Sequence, residues 1–145
     1  MKWSKWLPLA ILAIITSVFG IYTALNQSGA ISEHISGQWT LIEASDAAGD
    51  IDVSPTAVVM TVDDKTLGGT VCNHFGGSYS IDGSSITVAG LMKTEMWCGS
   101  PEGIMDFESR FTAALGAVNT VRFEGTNLVL TGVDIRLVFA QSTPD

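Results

Sequence analysis

Basic residues are scarce: seven Lys and Arg stand against fifteen Asp and Glu in 145 residues, for a formal net charge of −8. After Glu33 only Lys65, Lys93, Arg110, Arg122 and Arg136 occur, each alone, so no basic stripe exists to neutralise phosphates and nucleic acid is excluded as a partner. Cysteine is limited to Cys72 and Cys98 with no Cys-x-x-Cys, which allows a single disulfide and argues against a structural zinc cluster. Neither cysteine lies near the N-terminus, so a lipid-modified N-terminal cysteine is excluded. Gly76-Gly77 is not followed by Lys-Ser or Lys-Thr, and helices do not alternate with strands, which removes P-loop and Rossmann domains. Asp46, Asp50, Asp52 and the Asp63-Asp64 pair lack the spacing of an EF-hand and read as solvated loop residues. The length itself leaves room for one compact domain.

What the chain has in excess is apolar, and the excess is local. Hydrophobic residues make up 46% of the chain and charged ones 15%, with a mean hydropathy of +0.34. Leu7 to Leu25 contains no charged residue and as a helix would span about 28 Å, close to the hydrocarbon thickness of a bilayer. Lys2 and Lys5 precede this run and no Lys or Arg follows before Lys65, so the positive-inside rule places everything after it outside the cytoplasm. Trp3, Trp6 and Tyr22 sit near its ends, where amphipathic rings favour the interface. Ser28-Gly29-Ala30 supplies the small residues of a signal-peptidase site, so residues 1–30 read either as a cleaved signal peptide or as a retained signal anchor with its core at 7–25. Both readings deliver the remainder to the periplasm or cell surface, with membrane contact through the N-terminal segment.

Residues 31–36 read as a linker, 37–140 as the folded domain and 141–145 as a tail. From Gly37 the apolar residues alternate: Trp39 and Leu41, then Val58, Met60 and Val62, then Ile86 and Val88 after the Asp82-Gly83 turn. Ser100-Pro101-Glu102 has the composition of a helix start, and Ile104, Phe107, Phe111, Leu115 and Val118 form one apolar stripe at helical spacing. Alternation returns in Val121 and Phe123, Leu128 and Leu130, and Ile135, Leu137 and Phe139. The expected fold is α+β: a curved antiparallel sheet of seven or eight strands, a partly closed barrel, packed with one helix.

The stretch Gly68-Gly69-Thr70-Val71-Cys72-Asn73-His74-Phe75-Gly76-Gly77-Ser78-Tyr79 and the stretch Thr94-Glu95-Met96-Trp97-Cys98 resemble the META domain family, the HslJ-like heat-shock group. The resemblance begins at Gly37-Gln38-Trp39-Thr40-Leu41 and continues through Glu108-Ser109-Arg110-Phe111 to Leu128-Val129-Leu130. Val71 departs from it, standing where the family commonly has glycine. The resemblance implies a barrel-like sheet with one helix, an extracytoplasmic setting and no established catalytic residue. Its motif residues here are Gly37, Trp39, Leu41, Cys72, Asn73, Phe75, Gly77, Tyr79, Thr94, Met96 and Cys98, with a structural or binding role.

Cys72 and Cys98 fall on segments that the pattern makes neighbours in one sheet, and export would preserve a disulfide between them. Two sharper readings compete: a metal site of Cys72, His74 and Cys98, which lacks a fourth ligand, and a thiol at Cys72 activated by His74. Asn73 reads as a turn or bulge residue that bonds to backbone, or as a polar contact in a ligand site. Glu95 reads as a solvated carboxylate, His34 as a solvated linker residue, Trp39 as core, and Trp97 as packing on the bridge or as an exposed rim. Glu108 is expected to make a structural pair with neighbours of Arg110 or with a strand arginine such as Arg122. The expected function is non-enzymatic, a binding or structural role in the cell envelope linked to stress, with no cofactor, no metal, and an envelope protein or lipid as partner. The alternative is a carrier holding a lipid or small hydrophobic ligand inside the barrel.

Overall fold

A computed structural model describes residues 31–142, and the hydrophobic segment at 7–25 lies outside them. Residues 31–34 form a helical turn closed by Ile35 N–H donating to Ile31 O. Ile35 is buried, and its carbonyl accepts the indole N–H of Trp39 at 2.7 Å. The segment expected to be a linker is therefore tied into the core at its end. Among the described residues no helix is long and apolar enough to cross a membrane.

Nine strands follow: β1 (Gly37–Asp46), β2 (Gly49–Asp50), β3 (Val59–Val62), β4 (Thr66–Thr70), β5 (His74–Asp82), β6 (Ser85–Lys93), then after a helix β7 (Thr120–Glu124), β8 (Asn127–Gly132) and β9 (Ile135–Gln141). Every pairing is antiparallel, and β1 pairs with both β3 and β9, so eight strands close into a barrel while the two-residue β2 only extends β1. Closure runs through Leu41 opposite Phe139 and Ala44 opposite Leu137, with a bulge after Leu41. One seam is thin: β6 meets β7 only at Ser85 and Thr120. The helix α1 (Ile104–Ala117) leads into β7 beyond that seam and packs on β6, β8, β9 and β1.

Alternation explains the interior. Trp39, Met60, Leu128, Leu130, Leu137 and Phe139 point inward and are buried, and the α1 stripe adds Phe107, Phe111 and Leu115. Phe111 sits edge-on to Phe75 of β5 at 5.4 Å and near-parallel to Phe107 at 6.0 Å, geometries that suit the ring quadrupoles. An eight-stranded barrel is just wide enough for side chains to fill, and here they fill it.

The helix starts later than its composition suggested. Its N-cap is Gly103, with φ of 82° and no side-chain cap, and the Ser100–Pro101 peptide is cis. Phe107 N–H reaches the Gly103 carbonyl at 2.9 Å, so Ser100-Pro101-Glu102 forms the approach to the helix and not its first turn. At its other end, α1 touches the β8–β9 hairpin because Gly132 has no side chain; a Cβ there would stand 2.7 Å from the Ala117 carbonyl.

Candidate functional site

The β4–β5 turn, the segment after β6 and the first turns of α1 meet at the helix-capped end of the barrel. Val71 N–H donates to the Asn73 carbonyl at 3.1 Å, closing a tight turn that points Asn73 inward. Among the described residues the only non-glycine with positive φ is Asp134, so Val71 takes an ordinary backbone conformation where the family commonly has glycine. Cys72 and Cys98 are joined by a disulfide with their Cα atoms 6.1 Å apart, and no free cysteine remains among the described residues. The bridge fastens the turn to the segment leading into α1.

Asn73 is 0% exposed, and its side chain uses its full hydrogen-bonding capacity. Oδ1 accepts from Met96 N–H at 2.6 Å and from the Thr94 hydroxyl at 3.0 Å. Nδ2 donates to Glu108 Oε2 at 2.8 Å and to the Met96 carbonyl at 3.1 Å. The Asn73 backbone N–H donates to Glu108 Oε1 at 2.6 Å, and Lys93 Nζ lies 3.4 Å from Oε2. One amide thus stands in for strand pairing where the chain leaves β6, and it ties α1 to the sheet through a carboxylate.

Glu108 is 1% exposed and bonds Asn73 and Lys93; the expected partner Arg122 instead pairs with Glu124 at 2.7 Å on the surface. The reason is its place on the helix: Glu108 follows Phe107 on the stripe's margin, and its first turns face the β4–β5 turn. Burial pushes its carboxyl up, but the Asn73 backbone N–H, the Asn73 amide and the Lys93 ammonium together hold it below the ordinary value of 4.5. The charged form is the one the site is built around. Sequence reading missed this pair because a glutamate at the fifth position of a helix is ordinary; the signal was its position next to a core phenylalanine.

Other motif residues lie elsewhere. Trp39 and Leu41 are in the core on β1, which Gly37 begins in register with Val62. Phe75 packs inward from β5. Gly77 occupies the β5 bulge, where a Cβ would stand 2.9 Å from the Ala89 carbonyl. Tyr79 donates its hydroxyl to the Asp63 carbonyl at 2.7 Å; burial, then Asp64 and Asp63, raise its pKa above 10.0. Glu95 and His34 are exposed, and Trp97 is 81% exposed, a rim residue.

The disulfide removes two of the sequence alternatives. A bonded Cys72 offers neither a thiolate nucleophile nor a metal ligand, and the His74 ring is engaged through Nδ1 with the Thr70 hydroxyl at 2.7 Å. Among the described residues no group of three His, Cys, Asp or Glu side chains is arranged to hold a metal ion.

These features define a small antiparallel β-barrel capped by one helix, whose polar centre is a buried fastening and not an open cleft. The META domain family matches residues 32–144, most of the chain, and the chain belongs to that family. In fold it is similar to a protein from Burkholderia xenovorans solved by NMR, at 22% identity and a TM-score of 0.63, covering 79% of this chain and 88% of that one. It is also similar to a DUF4847 family protein from Bacteroides vulgatus solved by crystallography, at 15% identity and a TM-score of 0.55, covering 80% of this chain and 99% of that one. At these identities the likeness is one of fold alone. Among curated proteins no sequence matches the chain.

Proposed function

We propose that the chain is an extracytoplasmic META domain protein of the cell envelope, secreted or anchored through residues 7–25, with a non-enzymatic binding or structural role linked to stress. The observation that carries this reading is the Cys72–Cys98 disulfide at the join of turn, loop and helix, since such bonds persist in oxidising compartments. The charge pattern around residues 7–25 supports the same side of the membrane. The link to stress rests on the resemblance to HslJ-like proteins. Binding falls to the outer surface, because Trp39, Met60, Phe111 and Phe139 occupy the interior that a lipid carrier would need.

Fractionation with thiol labelling tests this. Protein from intact cells is expected in the envelope, open to protease added outside the cytoplasmic membrane, with both cysteines resistant to maleimide after denaturation until a reductant is added. Cytoplasmic protein with two freely labelled thiols would sink the proposal.

A further inference from the structure

On one side β6 pairs with β5 from Ser85 to Lys93; on the other it meets β7 at Ser85 alone, with one more backbone bond from Ile86 N–H to the Asn119 carbonyl at 3.1 Å. Ile86 thus directs its N–H away from β5, and by the alternation of an antiparallel ladder Val88 does the same. The bulge at Gly77 then shifts the phase by one residue. Thr94 N–H donates to the His74 carbonyl at 3.0 Å and so faces β5, which turns the main-chain groups of Lys93 and Leu91 to the free side. Val88, Leu91 and Lys93 therefore present donors and acceptors along an edge that no strand occupies among the described residues. The inward side chains at this edge are also incompletely covered. Val88 and Leu91 are only half-buried, whereas Met60, Leu67, Leu128 and Leu137 on other strands are at most 4% exposed. From Ile86 to Met92 the strand carries no charge and no proline, the residues that ordinarily blunt an exposed edge.

The helix α1 runs beside the edge without closing it. Leu91, Met92 and Lys93 of β6 and Ser109, Thr112 and Ala113 of α1 line a groove of about 240 Å³. Its helical wall is low, since Ser109 and Ala113 are short and Gly116 has no side chain; a Cβ there would stand 3.6 Å from Leu91 Cδ2. The Thr112 hydroxyl donates to the Glu108 carbonyl at 2.8 Å, and the Lys93 ammonium lies 3.4 Å from the Glu108 carboxylate. With those groups engaged, the groove offers apolar contact and main-chain hydrogen bonds. Charge at its rim is negative: Glu95 stands two residues beyond Lys93, Asp106 lies one turn before Ser109 on the same side of α1, and both are exposed.

We propose that the β6 edge is a docking surface for an extended peptide segment of a partner protein. The segment adds as a strand beside Val88, Leu91 and Lys93, seats one small apolar side chain against α1, and places a Lys or Arg near Glu95 and Asp106. An extended backbone is the occupant that satisfies alternate N–H and C=O groups, which an acyl chain would leave unpaired. A second copy, with its net charge of −8, would bring like charge to an acidic rim. This surface rests on the binding role proposed for the chain but not on its compartment, so binding in vitro and fractionation of cells fail independently.

The test uses the full-length protein in phosphatidylcholine nanodiscs, with a phage-displayed library of random heptapeptides as the probe. Selection is expected to enrich acid-free, proline-free peptides with apolar residues at alternate positions. The tightest of them, made synthetically, should slow amide exchange at Val88, Leu91 and Lys93, which in the free protein exchange faster than Thr87 and Met92 facing β5. Ala113→Arg fills the groove from the exposed side of α1 and should weaken binding roughly tenfold or more, whereas Thr126→Arg on the β7–β8 turn should not. Unfolding midpoints separate lost binding from lost fold, and Ser109→Arg replaces Ala113→Arg if the latter is unstable. N-methylation of alternate peptide amides should abolish binding in one phase and spare it in the other. Equal loss in both phases would overturn the proposal, as would no enrichment over an Ala113→Arg bait. Displacement of the peptide by palmitate would overturn it in favour of an acyl chain, and a dimer that the peptide dissociates would overturn it in favour of a second copy.

Discussion

The two halves of this barrel are held together by different forces. In β7, β8, β9 and β1 the join is apolar: Leu128, Val129 and Leu130 run against Leu137, Val138 and Phe139, all buried, and β1 closes on them through Leu41. Charge there stays outside, where Arg136 bridges Glu43 at 3.0 Å and Glu124 at 2.8 Å. In β4, β5 and β6 glycine replaces large side chains, the pairing is bulged, and the end is fastened by one disulfide, one amide and one buried carboxylate. The first half spreads its stability over many contacts. The second concentrates it in a few atoms, so single substitutions there should act with polar specificity.

The largest effect is expected in the apolar half. Phe139→Ala should cost about 3–5 kcal/mol in urea unfolding, from lost burial plus the cavity left behind. Removing the bridge with Cys72→Ala/Cys98→Ala should cost about 3–4 kcal/mol by the chain-entropy estimate for residues 26 apart. Asn73→Ala should cost about 3 kcal/mol, because Glu108 keeps its charge while losing the amide, and the Met96 backbone loses both partners. A cost below about 1 kcal/mol for Asn73→Ala, the value of a single ordinary hydrogen bond, would show that the bridge alone fastens this half.

The pH dependence separates the halves further. Glu108 has its folded pKa depressed, so its contribution is fully present above the unfolded value near 4.5 and is lost as pH falls through the lower folded value. Glu108→Gln should therefore be less stable than the parent at neutral pH, with the gap narrowing in acid; unfolding midpoints across that range measure it. A gap that stays constant with pH would mean that the carboxylate's charge plays no part. The smallest effect belongs to the outer charges: Arg136→Gln should lower stability slightly at low ionic strength and not measurably in high salt, since its partners are exposed. Glu124, held down to about 2 by Arg136 and then Arg122, should rise toward its ordinary value in that variant, which carboxylate NMR titration reads directly.

The apolar half was the easier one to read. Val121, Leu128, Leu130, Leu137 and Phe139 alternate with the period of a strand, and Ile104, Phe107, Phe111 and Leu115 with that of a helix. Each signal spans a few neighbouring residues. The glycine-rich half showed its motif but not its mechanism: Asn73 and Glu108 are 35 positions apart, and neither has a periodic reason to be buried. The helix start misled for a related reason, since Ser100-Pro101-Glu102 has the right composition for a cap, while the disulfide and Asn73 hold the preceding segment in place and α1 begins at Ile104, after the Gly103 N-cap.

Strand and helix positions, the inward faces, the acidic surface and the family were written in local order, because side-chain periodicity and composition act over one or two turns of chain. The closure of β1 on β9, the charge kept inside at Glu108, and the exposure of Met92, Met96 and Trp97 were decided only when the chain folded back on itself. Those features depend on contacts between distant residues, and their free energy exists only once the barrel has brought the partners together.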